Sequence, residues 1–513
     1  MVVNTLALAL PSSPITALFP RHPIISFSGA DNASSRKRAR HQDSMSRSSL
    51  QLVAPTSGDS SEDSRRPWQF HVAPMQGYTS YPLRKLFRYL SHGGQENGDD
   101  GSPIILWTEM EKVEDLLNTN QNGWEKRFGS PNDGDSDDSC IMQLGGSDPE
   151  LVQQCIYQAA EYGYLPNNFC GININCGCPS IESGGAATYG ASLMRKPELT
   201  GQLVEAVSET LEKVWGKDCG VEVSVKTRIA AVDTPEDLLL ASAINTEDAE
   251  WTLDEEKYAR LHQYITEIQG GGADHIILHA RPAVLSGLSP VKNRIVPKLD
   301  YNAVRRVAND FPCVRVTLNG GISCLADLKV ATNDYGSEDI NGKQGISSYM
   351  AGRWMLRRPF DLLATIRSSR GLQLHNVDVL ATKAIGNYID YVDQVLDRLE
   401  RGDMATPTKA ELFLPLYLVV EQLREDYDYL QCEGMDLDDD ITGQRISIDT
   451  AEDIYEMIVE YLLQLEGGLA GGKRKKSKTP SVDEFNFKKL ASSFKGIVGT
   501  KVASKWKRNR AEL

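Results

Sequence analysis

The chain has 513 residues, 41% of them apolar, and a formal net charge of −15. That length suits a large domain followed by a smaller one, and the apolar share allows a sizeable core. No run of 18 or more apolar residues occurs, which excludes a membrane-spanning helix.

Residues 1–66 read as a leader. The first thirty contain no acid and are rich in Ser, Pro and small apolar residues, and the basic cluster Arg36-Lys37-Arg38-Ala39-Arg40 follows. This composition suits an organelle transit peptide, plastid or mitochondrial. A nuclear-import cluster, a secretory-type segment at Leu6–Leu10 and a disordered tail without an address are the competing readings, so nucleus and cytoplasm stay open.

From Trp68 to Arg367 short apolar runs alternate with helical stretches. The predicted strands are Phe70–Met75, Ile104–Met110, Cys140–Gly145, Gly171–Asn175, Val221–Thr227, His275–His279, Val314–Asn319 and Ser348–Ala351. Amphipathic segments such as Pro149–Tyr162 and Pro197–Trp215 lie between them. Eight strands with helical crossovers predict an α/β fold, a (β/α)8 barrel over residues 67–369. A doubly wound open sheet is the alternative, weakened because no GxGxxG follows the first strand. Polar insertions at Gly93–Ser102, Gly129–Ser139, Ala230–Glu256 and Asn333–Gly345 are expected to be lids or decorations. Beyond them, residues 370–513 predict an all-helical domain: His375–Arg401, Pro407–Leu430 and Ile448–Gln464 carry apolar residues at three- and four-residue spacing. A Gly/Lys linker, Gly467–Ser477, leads to one or two basic helices within Asn486–Arg510.

The net acidity argues at first against a polyanionic partner, but the charges are segregated. From Lys473 to Arg510 there are 13 Lys and Arg against Asp483 and Glu484, whereas acids gather at Glu96–Asp100, Asp133–Asp138 and Asp436–Asp440. Local fields decide docking. On one face of a helix Lys501, Lys505 and Arg508 would meet RNA phosphates, with Trp506 packed on a neighbouring face. The nine cysteines form no CxxC pair, so reduced thiols in an intracellular compartment are expected. Asp436–Asp440 brushes against a calcium-loop pattern, but Ile441 and Ser447 stand where Gly and Glu are needed, and a solvated loop is expected.

In such a barrel reactive groups sit at the carboxyl ends of strands. Those ends carry Pro74-Met75, Glu109, Gln143, Asn173, Asn175, Cys178, Lys226, Arg228, His279, Arg281, Asn319-Gly320-Gly321 and Gly352-Arg353. Asn-Gly-Gly and Gly-Arg after the last two strands suit a phosphate, because glycines let backbone N–H groups approach and a cation offsets charge. A phosphate there, with Lys226 and His279 facing a ring system, suggests flavin mononucleotide (FMN) across the mouth. Lys226 would stabilise the reduced, anionic ring, and Gln143 and Pro74-Met75 would hold its polar edge and its face.

These motifs carry a resemblance. Asn173-Ile-Asn-Cys-Gly-Cys-Pro-Ser180 resembles the active-site signature of tRNA-dihydrouridine synthases. So do Ala73-Pro-Met75, Gln143-Leu-Gly-Gly-Ser147, Val225-Lys-Thr-Arg228, Ile277-Leu-His-Ala-Arg281, Asn319-Gly-Gly-Ile322 and Gly352-Arg353. The run Gly287–Pro297 is similar to the bacterial A-type branch, which acts at D-loop positions 20 and 20a. Resemblance covers residues 68–367 in order and resumes at Phe494-Lys-Gly-Ile-Val-Gly499. It implies flavin contacts at Pro74, Met75, Gln143, Lys226, His279, Asn319, Gly320, Gly321, Gly352 and Arg353, a proton donor at Cys178, a base contact at Asn175, and RNA contacts at Asn293 and Arg294.

The implied reaction is reduction of uridine in tRNA to 5,6-dihydrouridine. NADPH reduces FMN, hydride passes to C6 of the uracil, and Cys178 gives a proton to C5. A thiol is acid enough to donate and is readily reprotonated. The buried uridine must swing out into the mouth. Roles for Arg228 and Arg281 stay open, and Cys176 is expected in the core. A monomer acting on tRNA, with no metal and no membrane partner, is the expectation. A flavin barrel reducing a free small molecule and a catalytically silent tRNA-binding protein are the alternatives. The leader, the barrel insertions and an insertion near residues 416–482 depart from the bacterial branch and leave the modified position open.

Overall fold

The computed structural model describes residues 68–92, 104–131, 140–179, 189–217, 219–238, 253–289, 291–296, 298–336, 345–346, 348–370, 377–403, 405–433, 446–469 and 487–511. The leader and the Asp436–Asp440 stretch lie outside these residues, as does much of each barrel insertion; of the expected Gly/Lys linker, residues 467–469 instead continue the helix that ends at Leu469, and the rest lies outside.

The strands are β1 (Gln69–Val72), β2 (Ile104–Lys112), β3 (Cys140–Gly145), β4 (Gly171–Cys176), β5 (Glu222–Arg228), β6 (Ala231–Val232), β7 (His275–His279), β8 (Ala283–Val284), β9 (Arg315–Asn319) and β10 (Ser348–Ala351). Eight of them close a parallel barrel in the order β1–β10–β9–β7–β5–β4–β3–β2. The short β6 and β8 pair with each other beyond the ends of β5 and β7. All eight expected barrel strands are present, and three carry the expected bounds. The helices are α1 (Tyr81–His92), α2 (Val113–Leu117), α3 (Gln121–Phe128), α4 (Pro149–Glu161), α5 (Pro197–Trp215), α6 (Glu255–Gly270), α7 (Tyr301–Asp310), α8 (Leu325–Tyr335), α9 (Arg353–Arg357), α10 (Asp361–Arg370), α11 (Val377–Glu400), α12 (Lys409–Glu433), α13 (Ile448–Leu469), α14 (Phe487–Val498) and α15 (Thr500–Arg510). Among the described residues no helix is long and apolar enough to cross a membrane.

Strand alternation sorts the barrel into an outer and an inner set of side chains. Outward positions such as Phe70, Leu106, Met142, Ile174, Cys176, Val225, Leu278 and Leu318 join the core beneath the helices. Inward positions stack in layers along the barrel axis. The floor is polar: His275 Nδ1 lies 2.6 Å from Glu222 Oε1 and its Nε2 lies 2.5 Å from Thr317 Oγ1, while Trp107 Nε1 donates to His71 Nδ1 at 3.1 Å. Above it Ala73, Trp107, Ile141, Ile277 and Met350 form an apolar plug. Burial of these side chains, at about 25 cal/mol per Å² of apolar surface, makes the barrel a packed solid rather than a pore. The third layer, at the carboxyl ends, is polar again.

The expected helical region packs onto the barrel through α1. Tyr81 meets Tyr391 edge to face at 6.2 Å between ring centroids, and Tyr388, Phe413, Ile454, Leu462 and Phe494 fill the space between α11, α12, α13 and α14. A capping box starts α12: Thr408 N–H and Oγ1–H donate to Glu411 Oε2 at 2.8 and 2.6 Å, and Glu411 N–H returns a bond to Thr408 Oγ1 at 3.3 Å. The expected basic segment is two helices, broken at Gly499, whose φ of 87° is the left-handed conformation that glycine adopts without strain.

Candidate active site

The register of the strands brings the polar third layer together. Gln143 on β3 is paired with Asn173 on β4, Asn175 on β4 with Lys226 on β5, Arg228 on β5 with His279 on β7, and His279 with Asn319 on β9. Each pair shares the inner face because its members occupy matching phases of the alternation.

Three amides orient one another. Asn173 Nδ2 donates to Ser224 Oγ at 3.0 Å, Gln143 Nε2 donates to Asn173 Oδ1 at 2.9 Å, and Asn175 Nδ2 donates to Gln143 Oε1 at 2.9 Å. The remaining oxygen, Asn175 Oδ1, accepts the backbone N–H groups of Gly177 and Cys178, both at 3.1 Å. Buried, reciprocally satisfied chains of this kind hold side chains in one rotamer. Cys178 is half-buried on the loop that follows β4, and its carbonyl accepts Ala191 N–H at 2.9 Å. Cys176, by contrast, is fully buried, and burial pushes its thiol up to about 12. It belongs to the core, as expected.

The sequence position of Arg228 sets no role for it, and the structure does. Its Nε donates to Gly177 O at 3.1 Å, and its Nη1 donates to Pro282 O at 3.1 Å and Asn293 O at 2.9 Å. It therefore ties the Cys178 loop to the loop after β7. Arg281 donates to Ile295 O in that same loop. Burial is the main cause that lowers Arg228 to about 10, and it stays cationic.

Lys226 is half-buried and has no hydrogen-bond or ion-pair partner among the described residues. Burial, helped by the Arg228 charge and opposed by Cys178, brings its ammonium down to about 8. His279 is held well below the usual histidine range, first by burial and then by the charges of Arg228, Lys226, Arg281 and Arg353, so its ring is neutral. Gly320, at φ 108°, is where a Cβ would lie 2.6 Å from His279 Cδ2, and a Cβ on Gly352 would lie 2.7 Å from Met75 Sδ. Both turns need glycine for space, and Gly320 needs it for backbone conformation as well. Asn319 Nδ2 donates to Met350 O at 3.0 Å, which joins the ends of β9 and β10.

One cavity of about 1280 Å³ opens on this layer. Its lining includes Pro74, Met75, Gln143, Lys226, His279, Asn319, Gly320, Gly321, Gly352 and Arg353, the whole set expected to hold a flavin, together with Asn175, Cys178 and Arg294. Small-molecule sites commonly enclose about 300–1,000 Å³, so there is room for more than one ring system. Asn293 lies elsewhere. It is 1% exposed; its Oδ1 accepts Val284 N–H at 2.8 Å, and its Nδ2 donates to Val284 O at 3.0 Å and Leu288 O at 3.4 Å. In this structure Asn293 holds the loop that presents Arg294 rather than facing the cavity. Lys501, Lys505 and Arg508 are exposed on α15, with Trp506 buried against Tyr417 and Phe494.

The same cavity holds a strand-end carboxyl that was read from the sequence without a role, and two groups that sequence reasoning missed. Glu109, inward-facing on β2, accepts a hydrogen bond from Gln76 Nε2 at 2.9 Å, and burial, reinforced by the charges of Glu111 and Glu411, raises its carboxyl to about 7. Its strand-end place is legible in the sequence, whereas its raised carboxyl depends on burial that only the assembled wall imposes. Glu411 and Asn509 come from α12 and α15 and carried no such signal.

Residues 71–251 and 246–405 match the family model described as dihydrouridine synthase (Dus). A tRNA-dihydrouridine(20/20a) synthase of Pasteurella multocida is 30% identical over 263 residues, 51% of this chain and 64% of that protein. One from Shewanella oneidensis is 28% identical over 302 residues, 57% of this chain and 69% of that protein. One from Salmonella typhimurium is 30% identical over 327 residues, 63% of this chain and 79% of that protein. The chain thus spans just under two thirds of the Pasteurella relative and more of the other two. A closed parallel barrel whose matched residues run through every barrel strand carries this likeness in three dimensions, and the chain belongs to the dihydrouridine synthase family.

Proposed function

We propose that the protein reduces specific uridines of tRNA to 5,6-dihydrouridine, with FMN as cofactor, NADPH as electron donor and Cys178 as proton donor. The observation that carries this reading is the convergence of Cys178, Lys226, His279 and the two glycine turns on one cavity. The names of the relatives support tRNA as substrate and positions 20 and 20a as the target.

The residues present fit a flavin. Gly320 and Gly352 line the cavity without side chains, Lys226 is a cation with no hydrogen-bond or ion-pair partner among the described residues, and Arg353 lines the same wall as the glycines. Asn319-Gly320-Gly321 and Gly352-Arg353 would hold the phosphate. Gln143 and Lys226 would hold the pyrimidine edge of the ring, and Met75 its face. Bound there, FMN would supply hydride to C6 of the uracil.

The chain's own groups do the rest. Lys226 offsets the negative charge of the reduced ring. Neutral His279 offers a hydrogen bond without adding a fifth charge to the nearby cations. Cys178, set by Asn175, gives its proton to C5, completing the saturated ring. Arg294 and the exposed face of α15 receive phosphates of the tRNA, which positions the nucleic acid without reading its sequence.

The test is to reduce the purified protein anaerobically and offer it folded tRNA or free uridine. Reoxidation by tRNA alone is expected, with dihydrouridine recovered from the product. Equal reoxidation by free uridine would turn the assignment to a small-molecule reductase. The composition of residues 1–66 supports an organelle as the place of action, and mapping dihydrouridine by compartment in cells lacking the protein tests that.

A further inference from the structure

The wall of the cavity is completed from outside the barrel. Asn509, on the last turn of α15, lines it together with Arg353, Leu356 and Arg357 of α9. The neighbouring residue explains how a helix so far along the chain reaches the mouth. Arg510 is 8% exposed; its Nη2 donates to Arg357 O at 2.9 Å and its Nη1 to Leu356 O at 3.4 Å, and Nη2 lies 3.1 Å from Glu425 Oε1. Glu425 also takes Arg357, with Nε 3.1 Å from Oε2. Arg510 therefore grips the carboxyl end of the five-residue helix whose first residue, Arg353, faces the cavity. Trp506, one turn back, is wedged 5.1 Å from Tyr417, so the end of α15 is held by packing as well as charge.

A neutral amide in this place can donate and accept. The phosphates of an entering nucleotide have a guanidinium partner at the cavity in Arg294, since Arg353 is assigned to the FMN phosphate and Arg357 is paired with Glu425. What a neutral amide suits among the remaining groups of the sugar–phosphate is a hydroxyl, and the ribose 2′-hydroxyl is both donor and acceptor. We propose that Asn509 is a substrate-contacting residue that binds the ribose 2′-hydroxyl of the nucleotide drawn into the cavity, and that Arg510 is the positioning residue that holds it there. The inference rests on the reading that the cavity receives a nucleotide of tRNA.

The experiment uses the full chain loaded with FMN and follows reoxidation of the reduced protein in a single turnover. The substrates are tRNA carrying either uridine or 2′-deoxyuridine at the modified position. With the unaltered protein, the deoxy substrate is expected to react about three- to tenfold more slowly, the worth of one neutral hydrogen bond. Asn509→Ala is expected to lower the rate with normal tRNA by a similar factor and to lose no further rate with the deoxy substrate, as two partners of one contact do in a double-mutant cycle. FMN content and the rate of reduction by NADPH should not change. Arg510→Met should copy Asn509→Ala in this cycle, and Arg510→Lys should recover part of it.

If both substrates slow by the same further factor in Asn509→Ala, the contact does not exist. If Asn509→Ala reacts like the unaltered protein, the inference fails while the tRNA reductase reading stands. If the unaltered protein is not reoxidised by any tRNA, both fall together.

Discussion

Asn175 Oδ1 accepts the backbone N–H of Cys178 at 3.1 Å, while the other end of the same amide donates to Gln143 at 2.9 Å. The proposed proton donor is thus set by a side chain on the preceding strand, and the same side chain is locked to a residue proposed to hold the flavin. Asn175→Ala is expected to lower turnover by about tenfold or more, because misplacing an acid by a fraction of an ångström forfeits much of its catalytic value. FMN affinity should weaken less, since Gln143 keeps its bond to Asn173. Single-turnover rates at saturating tRNA, measured beside flavin content, check this. An unchanged rate would show that Cys178 holds its place without the amide.

Removing the thiol itself should be more damaging. Cys178→Ala is expected to bind FMN normally and to accept electrons from NADPH, yet to saturate uridine about 10²–10⁴ times more slowly, the usual worth of a positioned acid. Stopped-flow reoxidation by tRNA measures it. A variant as fast as the unaltered protein would sink the assignment of Cys178 as proton donor.

The charge at Lys226 should be visible in pH dependence. Its ammonium, lowered to about 8 chiefly by burial, is present below that value and lost above it, so the unliganded site becomes less positive as pH rises through about 8. Arg228 and Arg353 keep their charge across this range, and His279 is neutral throughout it. FMN affinity should therefore fall on the alkaline side of about 8, and Lys226→Met should bind FMN more weakly with a flat profile. Flavin fluorescence titrations from neutral to alkaline pH decide between these outcomes. A flat profile in the unaltered protein would mean that Lys226 does not meet the polar edge of the ring.

The exposed cations of α15 make a prediction about salt. Neutralising Lys501, Lys505 and Arg508 together should weaken tRNA binding and flatten the slope of log K against log salt by about two units, at roughly 0.7 per lost phosphate contact. Trp506 is left in place to keep the helix docked. Binding isotherms at several salt concentrations give the slope, and an unaltered slope removes these three residues from the RNA contact.

The barrel floor predicts acid sensitivity. Burial lowers His275 to about 3 and His71 well below the usual range, although Asp274 opposes the shift at His275. In the unfolded chain both take up a proton near 6.5, and in the folded chain neither does. Protons therefore favour the unfolded state as pH falls from about 6.5 toward 3, and stability drops across that window. Thermal midpoints measured between neutrality and about pH 5 should fall by several degrees. A midpoint that holds or rises on acidification would show that the floor histidines are protonated in the fold.

Much of this was legible in the sequence for a physical reason. A parallel strand buried on both faces is a short apolar run, and its carboxyl end is where polar residues break that run. Strands such as Cys140–Gly145 and His275–His279, and cavity residues such as Gln143, Lys226 and His279, could therefore be read locally. Asn293 misled because its motif gives a neighbourhood and not a direction: its side chain turns under the loop, and Arg294 faces the cavity instead. Arg228 and Arg281 found their roles only through carbonyls on other loops, whose approach no local pattern encodes.

By itself the sequence determined the barrel, the helical region after it and the set of side chains at the mouth, because alternation and turn chemistry act over a few residues. What the tertiary structure alone decided is which distant groups share that mouth. Glu411 and Asn509 reach it through the docking of α12 and α15, and Arg510 fastens the second of these by gripping α9 more than a hundred residues earlier in the chain. Such contacts depend on how whole faces pack, and packing is a property of the assembled surfaces rather than of any stretch of residues.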